Sequence, residues 1–195
     1  MNFKLNQQIF SERYLNNEIE VFIKRLDLID PFISGNKLFK LKYNVDRALL
    51  EKKNMLITFG GAFSNHILAT AAYAKKKNID CLAIIRGEEY SELNPLLTLA
   101  KEYGMNFCFV SRKEYAKRND NNYVSELIRK HKKAFIVPEG GNNKLGVLGA
   151  EEILETQDKS FDYIICPIGT GATLSGIVNS SNRSCLLYTS PSPRD

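Results

Sequence analysis

Several residue types are scarce in this chain of 195 residues, and each scarcity makes a class of protein less probable. There is no tryptophan, and the two histidines, His66 and His131, have no cysteine or carboxylate at ligand spacing around them, so a metal site is not expected. The four cysteines form no Cys-x-x-Cys pair, and three lie in apolar strand-like runs, where a thiol behaves as a small hydrophobic side chain. Disulfide bonds are therefore not expected.

Long apolar runs are also absent. Residues 55–74 and 163–182 carry no Lys, Arg, Asp or Glu, yet Gly, Ser, Asn and Thr in each favour a buried strand, a loop and a helix over a membrane span. The N-terminus has no signal-peptide run, so the cytoplasm is the expected location. The net charge of +5 includes lysine runs near predicted helix ends, which are typical of solvated lysines and predict no nucleic-acid partner.

Hydrophobic residues make up 44% of the chain, enough for a core in one domain or two small ones. Helical spacing alternates with strand-like apolar runs at residues 55–59, 81–85, 107–110, 134–137 and 163–166. Among the helices between these runs, one is predicted at residues 95–103, with Asn94 as its cap and Gly104 ending it, and another at residues 145–154. This alternation predicts an α/β protein with a mostly parallel sheet covered by helices. A strand at residues 19–23 precedes the array and could belong to another sheet.

A helix is predicted from residue 37 to about residue 52, with Leu38, Leu41, Val45 and Leu49 on the stripe that docks against a core. Lys37 opens this helix, directly after Gly35 and Asn36. Partial burial among apolar neighbours would lower its pKa and expose the neutral amine that reacts with an aldehyde. Lys40, one turn further on, could direct a second positive charge at a cofactor phosphate.

The loop at residues 60–66, Gly-Gly-Ala-Phe-Ser-Asn-His, follows a predicted strand and precedes a predicted helix. The first amides of that helix would point into the crevice at the carboxyl end of the strand, where anions bind. A substrate α-carboxylate is a natural occupant, with Ser64 or Asn65 as further donors. Taken alone, the loop favours a tight turn in which Ser64 only caps the helix, and it is the pairing with Lys37 that favours a site.

A second glycine-rich loop, at residues 169–173, again joins a strand to a helix. Its glycines allow close approach of the backbone and its threonine hydroxyls can donate, which is typical of a phosphate cradle. It has neither the lysine of a Walker motif nor the dinucleotide spacing, so nucleotide binding is disfavoured. The glycine-rich segment at residues 138–143 is interpreted as a turn with close helix packing.

The end of the chain departs from this pattern. A helix begins at about residue 173, but the residues after it look unrelated to a parallel-sheet protein. The segment 184–195 resembles a translated adapter sequence and is predicted to be a non-native tail, with a genuine flexible terminus as the alternative.

Taken together, these segments resemble the aminocyclopropane-carboxylate deaminase and D-cysteine desulfhydrase family, within the tryptophan synthase β-like group of pyridoxal phosphate enzymes. The resemblance runs from about residue 20 to residue 178. It is carried by Lys24-Arg25-Leu26-Asp27-Leu28, Gly35-Asn36-Lys37, Ser64-Asn65-His66, Pro138-Glu139-Gly140-Gly141-Asn142 and the loop at 169–173. Ser34 departs from the family pattern, which usually has glycine there.

The resemblance implies a two-domain α/β fold, pyridoxal phosphate fold type II, with parallel sheets flanked by helices. Residues 1–53 would begin the large cofactor domain, 54–160 would form a small α/β domain, and 161–183 would return to the large domain. Family members extend beyond this chain, so the large domain is expected to be incomplete and the chain could be inactive. Pyridoxal 5'-phosphate is the implied cofactor, a small amino acid the substrate, and a homodimer the full-length assembly.

The resemblance also implies roles for individual residues. Lys37 would be the Schiff-base lysine, with Lys40 near the phosphate, and Asn65 would bond the phenolic oxygen of the cofactor. Ser64 would contact the substrate and assist proton transfer, beside Asn65 and His66. The phosphate would be held by Gly169, Thr170, Gly171, Ala172 and Thr173.

Two substrates stay open within this family. D-cysteine would give pyruvate, ammonia and hydrogen sulfide, whereas 1-aminocyclopropane-1-carboxylate would give 2-oxobutanoate and ammonia. His66 favours D-cysteine, because the deaminase branch tends to carry glutamine at that place. A β-replacement synthase of the same fold and a non-catalytic amino-acid-binding protein are the further alternatives.

Overall fold

The computed structural model describes residues 5–88 and 92–181, and the backbone of residues 186–191. The strands are β1 (Asn6–Ile9), β2 (Val21–Lys24), β3 (Met55–Gly61), β4 (Asp80–Arg86), β5 (Met105–Val110), β6 (Ala134–Val137), β7 (Tyr163–Ile168) and β8 (Leu186–Pro191). The α-helices are α1 (Glu12–Leu15), α2 (Asn36–Leu50), α3 (Asn65–Lys77), α4 (Pro95–Glu102), α5 (Arg112–Tyr115), α6 (Asn121–Lys130), α7 (Lys144–Ala150) and α8 (Ala172–Ser180). Short 3-10 segments lie at Leu26–Leu28, Ala116–Asn119, Glu139–Gly141, Glu151–Ile153 and Thr156–Ser160.

A parallel sheet of four strands, in the order β5-β4-β3-β6, forms the centre of the molecule. Met55 at the start of β3 lies opposite both Asp80 of β4 and Ala134 of β6, so the three strands begin at the same edge. The predicted alternation of strands and helices is confirmed. β2 pairs antiparallel with β1 in a separate two-stranded sheet, which confirms that the early strand belongs elsewhere.

Both faces of the central sheet are buried, as expected of a parallel sheet. Alternate side chains of β3 face opposite ways. Leu56 packs in the larger core with residues of α2, α3 and α4, whereas Ile57 and Phe59 pack in a smaller core with Tyr115. The carboxyl ends of the strands are thereby held in fixed positions, and the loops that follow them start from a rigid edge.

Helix α4 begins and ends where the sequence predicts. The Asn94 side chain accepts a hydrogen bond from the Leu97 amide at 3.0 Å, and Gly104 follows the helix with φ +91°. Helix α7 is shorter than the predicted 145–154, because a 3-10 turn replaces its last residues. Within the described residues, no helix combines the length and the apolar composition that crossing a bilayer requires.

The buried stripe of α2 differs from the predicted one. Leu49 is 42% exposed, so its assignment to the docking stripe was wrong. The buried residues are Lys40, Leu41, Asn44, Val45 and Ala48. Two of these are polar, and the Asn44 amide donates to the carbonyl oxygen of Lys40 at 2.7 Å. A pattern that follows apolar side chains alone misplaces this face, because polar side chains occupy part of it.

Glycines allow α2, α7 and α8 to pack closely. A Cβ atom on Gly149 would lie 1.9 Å from the carbonyl oxygen of Phe39, so α7 contacts the α2 backbone directly. A Cβ atom on Gly176 would lie 2.5 Å from that of Ala150. These two contacts fix the start of α2 relative to the start of α8.

The terminal segment contains a strand that was not predicted. The backbone of β8 runs parallel to β7, from Leu186 opposite Tyr163 to Pro191 opposite Ile168. Of the segment predicted to be a non-native tail, residues 184–185 and 192–195 lie outside the described residues. Its non-native origin stays a prediction.

Candidate functional site

Lys37 lies in the first turn of α2. Gly35 precedes the helix with φ +65°, a left-handed conformation that favours glycine. The Lys37 Nζ atom donates a hydrogen bond to Asn36 Oδ1 at 2.7 Å. Burial lowers the pKa of this amine. A lowered pKa increases the fraction of neutral amine, the form that attacks an aldehyde carbon.

Asn36 connects this lysine to the glycine-threonine loop. Its Nδ2 atom donates to the hydroxyl oxygen of Thr173 at 2.7 Å, while its Oδ1 atom accepts from Lys37. Thr173 uses its oxygen as the acceptor, so its own hydroxyl hydrogen is left to donate elsewhere. The structure therefore brings the amine at residue 37 and the loop at 169–173 together.

Lys40 lies beneath the same loop. It is 2% exposed, and its Nζ atom donates to the hydroxyl oxygen of Thr170 at 3.3 Å. Its pKa falls from 10.5 to about 8, because burial disfavours the ammonium form and the charge of Lys37 adds repulsion. In the part of the chain that is described, neither lysine forms an ion pair. A buried cation without a counter-charge is costly, and an anion would compensate it.

The loop at 60–66 leads from β3 into α3. Ser64 is the N-cap residue of α3, but its side chain makes no capping hydrogen bond, so a role limited to capping is not supported. Asn65 is exposed. The lysines bond to Asn36 and Thr170 rather than to Ser64 or Asn65. The Ile67 amide donates to the Ser64 carbonyl oxygen, so the amides of Asn65 and His66 and the Ser64 hydroxyl are the donors available to an anion at this edge of the sheet.

His66 differs from its two neighbours in being buried, with 2% exposure. Its Nε2 atom lies 2.8 Å from the hydroxyl oxygen of Thr58 on β3. Burial, together with the charges of Lys37 and Lys40, lowers the pKa of His66 to about 3. The ring is therefore neutral and lies within electrostatic reach of the two lysines. A direct contact of His66 with substrate stays a prediction.

The turn after β6 contributes to the site, although sequence reasoning favoured packing alone. Gly140 and Gly141 have φ of +64° and +66°. A Cβ atom on Gly140 would lie 3.0 Å from Thr170 Cγ2, and one on Gly141 would lie 3.2 Å from Lys40 Cβ. The turn thus packs against both partners of the Lys40 hydrogen bond. The sequence signal for a role in the site was the position of this turn directly after a predicted parallel strand.

Sequence reasoning also missed a cluster of arginines at the same edge. The guanidinium groups of Arg118 and Arg86 lie 4.8 Å and 5.9 Å from the ring centre of Tyr115. Arg118 Nε bonds to Glu139 Oε2 at 2.6 Å. Arg86 lies beside Gly61, because its Nη2 atom would be 3.7 Å from a Cβ there. An arginine at the carboxyl end of a strand could have been singled out from the sequence.

The residues of this site fit pyridoxal phosphate. Its aldehyde requires an amine of lowered pKa, which Lys37 supplies, and its phosphate requires positive charge and donors, which Lys40 and the two threonines supply. Gly171 has φ +92° at the start of α8. A Cβ atom on Gly169 or Gly171 would meet no atom of the described residues within 4 Å, so there is open space beside the loop backbone. An anion there would face the N-terminus of α8.

Comparison with known proteins also indicates a pyridoxal phosphate enzyme. Residues 7–187 match a family described as "Pyridoxal-phosphate dependent enzyme". The chain is 35% identical over 189 residues to a putative 1-aminocyclopropane-1-carboxylate deaminase of Thermotoga maritima, covering 93% of this chain and 58% of that protein. It is 33% identical over 181 residues to a mitochondrial protein of Arabidopsis thaliana named as a bifunctional D-cysteine desulfhydrase and 1-aminocyclopropane-1-carboxylate deaminase, covering 84% and 45%.

Among solved structures, the crystal structure of an ACC deaminase homologue matches with a TM-score of 0.75 and 31% identity, over 90% of this chain and 55% of that one. Serine racemase from Dictyostelium discoideum matches with a TM-score of 0.70 and 18% identity, over 95% and 59%, which supports the fold alone. These matches confirm the predicted fold class and the family resemblance. The chain spans about half the length of the curated relatives it matches.

Proposed function

We propose, since the chain belongs to the family of pyridoxal-phosphate-dependent enzymes, that it carries the cofactor-binding half of a lyase or deaminase. The proposed substrate is a small amino acid, with D-cysteine favoured. One D-cysteine and one water would give pyruvate, ammonia and hydrogen sulfide. The contact that carries this proposal is the double hydrogen bond of Asn36, which joins the Lys37 amine to Thr173 of the glycine-threonine loop.

In this proposal, Lys37 holds the cofactor covalently through Nζ. The phosphate occupies the open space beside Gly169, Thr170, Gly171, Ala172 and Thr173. Both threonine hydroxyls accept from the α2 side, Thr170 from Lys40 and Thr173 from Asn36, so both hydrogens are free to donate to phosphate oxygens. Lys40 supplies the compensating charge, and Asn65 bonds the phenolic oxygen.

The substrate carboxylate is assigned to the N-terminus of α3. The amides of Asn65 and His66 at its start and the Ser64 hydroxyl, which makes no capping bond, are suitable donors for an anion. Arg86 lies beside this loop and adds positive potential at its mouth. Asn65 and His66 complete the proposed substrate environment, as the family resemblance implies.

When bound, pyridoxal phosphate supplies an electron sink for a bond that breaks next to the substrate nitrogen. The chain's own residues do the rest in this proposal. Lys37 Nζ, as a free amine beside the substrate, would move a proton at the substrate Cα. Ser64 Oγ assists that transfer. The amides of α3 and the loop at 169–173 hold the two anionic groups, so the bond to be broken keeps one orientation.

A second substrate, 1-aminocyclopropane-1-carboxylate, is supported by the names of the relatives. The Thermotoga protein is named for it alone, and the Arabidopsis protein for both activities. Ring opening and deamination, with one water, would give 2-oxobutanoate and ammonia. His66 favours D-cysteine, because the deaminase branch tends to carry glutamine there. We also propose a cytoplasmic location and a homodimer for the full-length protein.

The cofactor part of the proposal is tested by trapping. Protein incubated with pyridoxal phosphate and then reduced with borohydride should retain the cofactor on Lys37, as peptide mass spectrometry would detect. Lys37→Met should abolish the label at this position, whereas Lys42→Met is the matched control, because Lys42 lies on the same helix and bonds to exposed Glu152. A well-folded protein that retains no cofactor would contradict the proposal.

The substrate part is tested with the chain extended by its native downstream sequence. D-cysteine and 1-aminocyclopropane-1-carboxylate are assayed side by side for keto acid. Faster turnover of D-cysteine, with sulfide released in equal amount, is the expected result. Faster turnover of the cyclopropane substrate would favour the alternative, and cysteine formation from O-acetylserine and sulfide would favour a β-replacement enzyme.

A further inference from the structure

Within the described residues, the imidazole of His66 makes a hydrogen bond through one of its two ring nitrogens. Its Nε2 atom lies 2.8 Å from Thr58 Oγ1, and Thr58 Oγ1 in turn lies 2.8 Å from the carbonyl oxygen of Val137. All three residues are buried, and Thr58 and Val137 lie opposite each other on neighbouring strands. The imidazole is thus connected to the frame of the central sheet.

The chemistry of Thr58 determines which ring nitrogen of His66 carries the hydrogen. A hydroxyl has one hydrogen, and a carbonyl oxygen can only accept. Both contacts are hydrogen bonds only if Thr58 donates to Val137 and accepts from His66 Nε2–H. The neutral ring then has its hydrogen on Nε2, and Nδ1 is an acceptor.

The Nδ1 atom is buried, and no described residue donates a hydrogen bond to it. A buried polar atom without a partner costs about 1–3 kcal/mol, so such an atom in a native protein requires an explanation. The opposite tautomer would leave a buried N–H donor near two lysine charges, which electrostatics disfavours.

The two lysines whose charges reach the ring are candidate donors. Each lysine ammonium has three hydrogens. Among the described residues, the Lys37 ammonium donates to Asn36 and the Lys40 ammonium donates to Thr170, so hydrogens remain on both. Both charges act on the His66 ring, and that of Lys37 is the stronger. Lys37 is also the lysine whose amine, on the proposed function, is alternately attached and free.

We propose that His66 is a positioning residue for Lys37: held as the Nε2–H tautomer by Thr58, it offers Nδ1 as the acceptor that holds the Lys37 amine, directly or through one water, while that amine is not attached to the cofactor. The proposal rests on the proposed function for its purpose, but the hydrogen bond is expected in cofactor-free protein as well, because Nδ1 has no donor among the described residues. It gives His66 a fixed hydrogen-bonding role and no proton transfer.

The test uses the imidazole nitrogen signals in long-range proton–nitrogen NMR spectra of cofactor-free protein. The chain has only two histidines, so His131→Gln assigns the signals of His66. At neutral pH we expect Nε2 protonated and Nδ1 unprotonated. A protonated Nδ1, or a doubly protonated ring, would overturn the proposal.

Two lysine variants identify the donor. Lys37→Met should shift the Nδ1 signal towards that of a free, unprotonated nitrogen, whereas Lys40→Met should leave it closer to its original position. An Nδ1 signal that is unmoved by Lys37→Met, or that responds only to Lys40→Met, would overturn the proposal. A shift confined to Lys37→Met is not expected of a histidine that only fills space.

Two threonine variants test whether Thr58 holds His66 in the Nε2–H tautomer. Thr58→Val removes the acceptor of Nε2–H and should allow the Nδ1–H form to appear. Thr70→Val is the matched control, because Thr70 is equally buried and bonds only to the backbone oxygen of His66. If Thr58→Val left the ring tautomer unchanged, the role of Thr58 in selecting the tautomer would be contradicted.

Added pyridoxal phosphate separates this proposal from the proposed function. When the amine of Lys37 becomes attached, the Nδ1 signal should move in the same direction as in Lys37→Met. A protein that takes up no cofactor would contradict the proposed function, while the spectra of the cofactor-free variants would still decide the role of His66.

Discussion

The side chains of Asn36 and Thr173 are joined by a hydrogen bond of 2.7 Å across 137 residues of sequence. The bond connects the first residue of α2 to the first turn of α8, and it places a lysine amine next to a loop suited to phosphate. Lys40 and Thr170, 130 residues apart, make a parallel connection one turn further along α2.

Thr173→Val should weaken cofactor binding. The substitution keeps the side-chain shape but removes the acceptor of Asn36 and a proposed phosphate donor. We expect the affinity for pyridoxal phosphate to fall about tenfold or more, since one hydrogen bond contributes about 1 kcal/mol and bonds to charged groups contribute more. An absorbance titration measures it. Thr98→Val is the control, because Thr98 is exposed and bonds only to backbone oxygens of its own segment. Equal affinities of the two variants would contradict the assignment.

Lys40→Met should stabilise the cofactor-free protein while weakening phosphate binding. The folded-state pKa of Lys40 is about 8 against an ordinary 10.5, so the unfolded chain binds more protons between these values. The native free energy of unfolding should therefore contain a contribution that rises with pH from about 8 to 10.5, and below pH 8 the buried ammonium costs roughly 2–3 kcal/mol.

Denaturant unfolding at pH 7 and pH 10 measures this effect. Lys40→Met should be more stable than native at pH 7 and should lose the Lys40 contribution to the pH dependence. Lys42→Met provides the control, because the Lys42 side chain is 43% exposed and its pKa is raised by the bond to Glu152. A Lys40→Met protein that is no more stable than native at pH 7 would show that burial of the Lys40 ammonium does not destabilise the fold.

Two glycine substitutions should separate folding from cofactor binding, because one should lower stability and the other should lower cofactor affinity. Gly149→Ala places a Cβ atom 1.9 Å from the Phe39 carbonyl oxygen, so α2 and α7 must separate. We expect a loss of roughly 2 kcal/mol or more in the free energy of unfolding. Gly169→Ala meets no described atom within 4 Å and should leave stability nearly unchanged, but its methyl group enters the proposed phosphate space and should weaken cofactor affinity. Thermal unfolding with and without pyridoxal phosphate distinguishes the two.

Asp158→Asn should destabilise the attachment of the two-stranded sheet formed by β1 and β2. The Asp158 carboxylate is buried and bonds to Lys24 Nζ at 2.6 Å and to the Glu155 amide at 2.8 Å. Burial alone would raise its pKa, but the bonds from Lys24, Asn6 and the Glu155 amide outweigh burial and lower it. The stabilisation is therefore present above the ordinary aspartate pKa and is lost as the pH falls through the lowered one.

Removal of one partner of a buried ion pair costs about 3–5 kcal/mol, which sets the scale for Asp158→Asn at pH 7. Glu155→Gln is the control, because Glu155 is exposed and makes the longer contact with Lys24, at 3.3 Å. Denaturant unfolding at pH 7 and at acidic pH would measure both. Equal losses for the two variants would contradict the central role of Asp158.

Much of the fold could be predicted because it depends on local patterns. The runs around Leu56, Ile84 and Phe107 indicate parallel strands, and the caps Asn94 and Gly104 fix the ends of α4. The stripe of α2 could not be predicted from apolar spacing, since Lys40 and Asn44 occupy buried positions. β1 and β8 were missed because short strands acquire their structure from a partner strand rather than from their own sequence.

The sequence by itself determined the α/β alternation, the family and the motifs around Lys37, Ser64 and Thr170, because these depend on residues that are close neighbours along the chain. Only the tertiary structure decided that Asn36 bonds Thr173, that Lys40 is buried beside the glycine turn, and that Thr58 selects the tautomer of His66. The physical reason is that a pKa and a hydrogen-bond partner are set by the groups that surround a side chain in space, and here those groups come from distant segments.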